Sequence, residues 1–394
     1  MLFLWLCNKP QIDSPLIQAC WNGHNSVVDQ LLSNGARVND TKQDGSTPLH
    51  LSVVRHQHAT VKRLLAQGRT HELVDPTITW VHCINMDGNN PLHIASSAGC
   101  IHAAEMLLLD EGSVIDDAIR MMFCKNQGGQ APIHIAAYHG HADLVRLFVE
   151  CVFNGTHPGS IDGNGNLVEV DVGALGPDLL TDDGSVALFI AAERGFLPIC
   201  KLLLDAAGNV NYQHPSTNMT AMHYAAKTSS SQHRDIVLLL GQYNPRDTVD
   251  SHGLTPLCVA CSRDSQPDQH SINLIRALLE VNPSAVNPSG TRDGIDALMC
   301  SCGCACPSDL MLPIVRILLE KGADVKSCLN TSQNTALHMA ASRGSFAICK
   351  LLLENGANKA STNLGGLEPA TLARRNNQIQ TAVFIEGFDG GGAR

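Results

Sequence analysis

Aromatic residues make up only 4% of this 394-residue chain, and charged residues only 16%. With so few rings, the core has to be assembled from aliphatic side chains and alanine. Long apolar runs are absent as well. The longest uncharged apolar runs are far shorter than the roughly 18 residues of a membrane-spanning helix, which argues against membrane insertion. Basic residues are outnumbered 27 to 37, for a net charge of −10, so binding to nucleic acid through bulk charge is not expected. No Walker loop, dinucleotide fingerprint or kinase signature occurs. At 44% hydrophobic residues, the chain is too apolar for a disordered polymer.

The 15 cysteines are odd in number and do not bracket small loops. In a chain of this length they read as reduced thiols and an intracellular protein. Cytoplasm is expected before nucleus, because no dense basic cluster is present. Residues 1–7 (MLFLWLC) are apolar but lack the basic flank of a secretory signal. Residues 1–13 are therefore expected to form an apolar cap on the first structural unit.

What the chain does have is a repeat. Thr47-Pro48-Leu49-His50 returns as Asn90-Pro91-Leu92-His93, Ala131-Pro132-Ile133-His134, Thr220-Ala221-Met222-His223, Thr255-Pro256-Leu257-Cys258 and Thr335-Ala336-Leu337-His338. Weaker copies begin at Ser14, Val186 and Asp296, and a degenerate tenth at Glu368. Several spacings fall at 33 to 35 residues, and the others are that period plus insertions. Each copy follows a polar turn, often Asp-Gly as at Asp44-Gly45 and Asp87-Gly88. A capping Thr or Ser then precedes Pro or Ala at the first helical position. Two small residues follow, such as Ala136-Ala137 or Ala340-Ala341, and a glycine such as Gly140 or Gly344 ends the helix. A second helix carries a leucine-rich stripe, for example Ile348, Leu351 and Leu352. Neither helix is long enough to stand alone, so the pairs must stack.

This pattern closely resembles the ankyrin repeat. Glu320-Lys321-Gly322-Ala323-Asp324-Val325 and Glu354-Asn355-Gly356-Ala357-Asn358 match its closing segment, and Gly140-His141-Ala142-Asp143-Leu144-Val145 its second-helix opening. The resemblance spans residues 14–386 in about ten units. It implies an all-α solenoid of stacked antiparallel helix pairs with β-hairpin-like finger loops, which specifies no reaction by itself. Insertions are expected near 71–80, 154–180, 262–270 and 303–310, and a flexible glycine-rich tail at 387–394. The polar last unit, with Arg374, Arg375, Asn376 and Asn377, reads as the end of the array.

Candidate chemistry reads mostly as structure. Cys300, Cys302, Cys304 and Cys306 are spaced Cys-x-Cys, unlike structural zinc pairs. In register, Cys300 and Cys302 take core positions, which leaves Cys304 and Cys306 as weak metal or redox candidates. Asp162, Asn164 and Asn166 resemble the start of a calcium loop, but the glycine and the final carboxylate are missing. His50, His93, His134, His223 and His338 are expected to hydrogen-bond the turn and helix start. Arg55, Arg194, Arg263 and Arg343, with Lys227 one place earlier, follow the first helices; they are either solvated charges or contacts for acidic partner segments.

The expected function is a non-catalytic scaffold or adaptor. It is expected to act as a monomeric array, without a cofactor, and to bind a partner protein or peptide on its concave face. The expected contacts are the finger residues Lys42, Gln43, Asn85, Met86, Asn126, Gln127, Thr291 and Arg292, with Trp21, Tyr138, His139, Glu193 and Arg194 on the first helices. Two alternatives are the targeting arm of a larger ubiquitin ligase, kinase or channel, and a thiol or metal protein built on Cys300–Cys306.

Overall fold

A computed structural model describes residues 13–72, 83–109, 120–153, 177–262, 267–288, 291–304 and 308–389. Its named α-helices fall into ten pairs. The first four are α1 (Pro15–Asn22) with α2 (Asn25–Ser33), α3 (Pro48–Val54) with α4 (His58–Glu72), α5 (Pro91–Ala98) with α6 (Ile101–Leu109), and α7 (Pro132–His139) with α8 (Ala142–Phe153). The fifth is α9 (Ala187–Arg194) with α10 (Leu197–Asp205). Then follow α11 (Ala221–Lys227) with α12 (Ser231–Gln242), α13 (Pro256–Cys261) with α14 (Gln269–Val281), and α15 (Ala297–Gly303) with α16 (Ser308–Glu320). The last two are α17 (Ala336–Arg343) with α18 (Phe346–Glu354), and α19 (Pro369–Arg375) with α20 (Ile379–Gly387). No strand is present among the described residues; two isolated bridges, Leu180 to Val186 and Cys328 to Thr335, mark hairpin-like fingers.

The chain divides into two compact units, residues 1–190 with 201–208, and residues 191–200 with 209–394. In the first, α1, α3, α5 and α7 pack in succession, and so do α2, α4, α6 and α8. In the second, α11, α13, α15, α17 and α19 form one row and α12, α14, α16, α18 and α20 the other. The small pairs predicted from sequence lie where first helices meet: Ala136, Ala137, Ala340 and Ala341 are fully buried. Any larger side chain there would push neighbouring helices apart. The leucine stripes supply the rest of the core, with Leu144 and Val145 buried on α8 and Val315 and Leu318 on α16.

Each first helix starts and stops as its sequence dictates. The Thr47 and Thr335 hydroxyls cap α3 and α17 by accepting the N–H three residues on. Gly99 and Gly344 end α5 and α17 in the left-handed conformation, with φ +71° and +77°. A Cβ at Gly99 would lie 2.6 Å from the His141 ring, and one at Gly344 would run into the Gln378 side chain of the next pair. These glycines serve close inter-repeat approach as well as the turn.

The motif histidines do more than brace their own turn. Each Nδ1 accepts the N–H of the capping residue: 3.2 Å at His50, His93, His223 and His338, and 3.1 Å at His134. Each Nε2 reaches a carbonyl oxygen in the following finger, namely Asn89 (2.9 Å), Gln130 (3.0 Å), Leu179 (2.8 Å), Leu254 (3.1 Å) and Leu367 (3.0 Å). A ring that accepts at Nδ1 and faces a carbonyl at Nε2 carries its proton on Nε2 and is neutral. Burial pushes the pKa of His50, His93 and His134 down to about 4, and that of His223 and His338 down as well.

The insertions leave the repeat intact. Where the first was expected at 71–80, α4 continues to Glu72, and residues 73–80 lie outside the described residues. Of 154–180, residues 154–176 lie outside them, including Asp162, Asn164 and Asn166; Leu180 then opens the next finger. Asp268 caps α14 by accepting the Ser271 N–H at 2.8 Å, so 267–270 already belongs to a helix start. Likewise α16 begins at Ser308. Residues 1–12 and 390–394 lie outside the described residues, whereas Lys359 Nζ donates to the Glu386 and Phe388 carbonyls at 3.1 and 2.6 Å and holds the end of α20.

Candidate partner-binding surface

Backbone hydrogen bonds join the fingers within each unit. In the first, the Met86 N–H donates to the Asp44 carbonyl (2.8 Å), Gln127 N–H to Asp87 (2.9 Å) and Asp182 N–H to Gly129 (3.1 Å). In the second, Ser251 N–H donates to Thr217 (2.8 Å), Asn330 N–H to Asp293 (2.9 Å) and Leu364 N–H to Ser332 (2.8 Å). Main chain therefore fixes each finger against the next and leaves side chains to vary.

Asn85 and Asn126 are spent on the scaffold. Asn85 Oδ1 accepts the N–H groups of Asp87 and Asn89 at 3.0 and 2.9 Å. Asn126 Oδ1 accepts those of Gly128 and Gln130, both at 3.0 Å, while its Nδ2 donates to Asn89 Oδ1 at 2.9 Å. Asn363 does the same for Gly365 and Leu367. An amide oxygen so engaged holds the fingertip shape. Sequence reasoning placed both asparagines with the contacts; the Asn-x-x-x-Asn/Gln spacing (85 to 89, 126 to 130) was the available signal that they brace the turn.

The side chains beside them are free to reach out. Met86 is 66% exposed, and Gln43 and Gln127 are exposed as well. Lys42 is half-buried because it lies against Trp21. Trp21, at the last turn of α1, is 43% exposed, with Lys42 Nζ 5.7 Å and the Arg55 guanidinium carbon 4.9 Å from its ring centroid. Gln57 Nε2 donates to the Trp21 carbonyl at 3.2 Å and fixes that turn. Two of the expected contact residues, Trp21 and Lys42, thus lie together although distant in sequence, and Arg55 joins them.

Tyr138 and His139 are exposed at the end of α7, their rings 5.2 Å apart and edge-on, with the His141 ring 6.0 Å from His139. In the second unit, Glu193 Oε1 pairs with Lys227 Nζ at 3.1 Å, and the Glu193 carbonyl accepts from His233 Nε2 at 3.0 Å. Arg194 is exposed, Thr291 is half-buried, and Arg292 belongs to a one-turn 3₁₀ segment, Arg292–Gly294. Arg263 and Cys306 lie outside the described residues.

The thiols behave as the register predicts. Cys300 and Cys302 are buried on α15 at 7% and 2% exposure, and Cys304 is half-buried just beyond it. Burial pushes Cys20 and Cys151 up to about 11 and Cys200 and Cys349 up to about 12, so these thiols stay protonated and non-nucleophilic. Cys258 differs: a hydrogen bond with Cys300 lowers its pKa. Among the described residues, no group of three or more His, Cys, Asp or Glu side chains is placed to hold a metal ion, and no helix is long and apolar enough to cross a membrane.

Family models match the stretches that carry the helix pairs. A family model of ankyrin repeats in three copies matches residues 16–119, 161–247, 266–363 and 304–385, and the single ankyrin repeat matches 128–155. Similar proteins include the E3 ubiquitin-protein ligase KEG of Arabidopsis thaliana, 22% identical over 358 residues, covering 87% of this chain and 18% of that one. The B-cell lymphoma 3 protein homolog of Mus musculus is 30% identical over 199 residues, covering 49% and 39%. The chain thus spans less than half the length of these relatives. Among solved structures, the ankyrin repeat domain of Bcl-3 aligns with a TM-score of 0.49 at 21% identity, covering 67% of this chain and 99% of that one. Ankyrin repeats are protein–protein interaction modules without a catalytic centre of their own. With matches from residue 16 to residue 385, carrying the same helix pairs and fingers, the chain belongs to the ankyrin repeat family.

Proposed function

We propose that this protein is a non-catalytic adaptor that holds a partner protein on its finger tips and the exposed ends of its first helices. The observation that carries this reading is the Trp21 cluster beside the finger ladder. Large exposed side chains, Trp21 and Met86, stand on elements that main-chain hydrogen bonds have fixed. Fixed backbone with variable side chains lowers the entropy lost on binding. Exposed aromatic and arginine side chains are the types that anchor interfaces. Within that proposal the contacts are Trp21, Lys42, Gln43, Met86, Gln127, Tyr138, His139, Glu193, Arg194, Thr291 and Arg292, with Asn85 and Asn126 shaping the tips. The protein acts inside the cell, in the cytoplasm before the nucleus, as a monomeric array; single buried thiols such as Cys20 and Cys151 suit a reducing compartment.

The test is capture from cell lysate by the wild type and by a variant with Trp21, Met86, Tyr138 and Arg194 changed to alanine, once circular dichroism shows the variant folded. The expected result is a partner enriched by the wild type, lost in the variant, and rebound when both proteins are purified. Equal capture by both would remove this surface from the function. A second reading, the targeting arm of a larger protein, is favoured by one observation: the chain covers only 18% of a relative that is itself named a ubiquitin ligase. A longer transcript carrying a second domain would establish it.

A further inference from the structure

We infer that the Trp21–Lys42–Arg55 cluster, continued by Met86 on the next finger, binds a linear peptide segment that carries a carboxylate beside a bulky apolar side chain. The inference rests on the reading of this face as the partner surface and adds the chemistry of what it takes.

The charge pattern carries the argument. The chain is strongly acidic, at −10, yet two cations converge on one exposed indole. Two other cations of fingers and first helices are balanced by acids: Lys125 Nζ lies 2.9 Å from Asp182 Oδ1, and Lys227 Nζ 3.1 Å from Glu193 Oε1. Neither Lys42 nor Arg55 has a carboxylate within 4.0 Å among the described residues. Asp40 and Asp44 flank Lys42 in sequence; Asp44 feels the Lys42 charge but lies beyond ion-pair distance and spends Oδ1 on the Ser46 N–H at 2.9 Å. The ring holds both cations weakly, since an exposed cation–π contact contributes only about 0.5–1 kcal/mol. A carboxylate offers the Arg55 guanidinium a two-point, charge-assisted partner and Lys42 a second one.

The apolar half of the ligand follows from the neighbours. Trp21 presents its ring at 43% exposure, and Met86 is 66% exposed on a finger whose N–H is bonded to the Asp44 carbonyl. A flat ring and an adaptable thioether together suit a leucine, isoleucine or phenylalanine side chain. The Met86 N–H bond to the Asp44 carbonyl sets that finger against the one that carries Lys42, so a ligand lying on the cluster meets both. The position of Trp21 is built, because Gln57 both donates to its carbonyl and packs against Gly23 at the end of α1.

The experiment selects a phage-displayed library of random peptides, about twelve residues long, on the full chain, with counter-selection on the K42E/R55E double variant. The expected outcome is enrichment of Asp or Glu next to Leu, Ile, Phe or Trp. A fluorescein-labelled selected peptide should bind about tenfold more weakly to K42E/R55E, and more weakly as NaCl rises from about 50 to about 300 mM. It should lose less affinity for the charge-preserving K42R/R55K than for K42E/R55E, because the charge stays while the two-point contact of Arg55 goes, and it should keep its affinity for R343E, which alters the corresponding position of the ninth pair. Selected peptides without acidic enrichment, no selected peptide at all, or unchanged binding to K42E/R55E would each overturn the inference. If Trp21→Ala still abolishes capture of a lysate partner while acidic peptides fail, the surface stands and only this chemistry falls. If neither responds, both readings fall.

Discussion

The two units use one motif position in different ways. In the first, His50, His93 and His134 follow one another, and each joins its pair to the next finger through Nε2. In the second, His223 and His338 make the same bond, but Cys258 and Met299 stand at that position in the two pairs between them. Both replacements are fully buried. Thiol and thioether fill the space that imidazole fills, but neither reproduces its two-ended hydrogen bond. The repeat therefore tolerates loss of a polar rung where apolar packing is retained. The first unit relies on polar rungs more heavily, and it also carries the exposed, cation-flanked tryptophan.

Acid should separate the units most. The folded pKa of about 4 for His50, His93 and His134 lies below the unfolded value near 6.5. The unfolded chain thus takes up protons first as pH falls. The stabilisation is complete above about 6.5 and is lost as pH drops toward 4, with each histidine worth on the order of 2–4 kcal/mol. Peptide-resolved hydrogen exchange should show protection falling earlier and further in residues 48–153 than in residues 256–320. Equal acid sensitivity in both would break the comparison.

Core truncation should act equally in both units, and so serves as the control. Leu144→Ala on α8 and Leu318→Ala on α16 each remove a fully buried side chain and should cost about 2–5 kcal/mol by urea unfolding. In a nearest-neighbour stack, protection should be lost first around the mutated pair. A helix cap contributes less. Thr335→Ala removes the hydroxyl that accepts from His338 N–H at 3.4 Å and sits 2.9 Å from its Nδ1, and should cost about 1 kcal/mol in thermal melts. The smallest effect is expected at Lys227→Ala. Its pair with Glu193 is nearly half exposed on both sides, so its loss should change stability by less than about 0.5 kcal/mol.

The repeat was legible because its signals are local. Thr-Pro-Leu-His encodes a cap, a first helical residue, a core residue and a bracing ring, and the structure places all four in those roles at residues 47–50. Register also decided the thiols: aligning the eighth pair on the ninth puts Cys300 and Cys302 in the core, where they lie. The site was less legible. Asn85 and Asn126 read as contacts from sequence, and the structure adds that their amide oxygens close their own fingers. Arg55 looked like one of a row of solvated charges, yet it packs on the Trp21 ring.

The sequence by itself determined the unit: its caps, its glycine stops, its small contact pairs and its tenfold recurrence. Those features depend on contacts within a few residues, where the backbone geometry of helix and turn leaves few choices. The tertiary structure alone decided what passes between units of the repeat. The Nε2 bonds link residues about 30 to 45 positions apart, and Trp21, Lys42 and Arg55 meet from three separate elements. No local rule sets such distances, because they arise only when one pair buries its apolar face against the next.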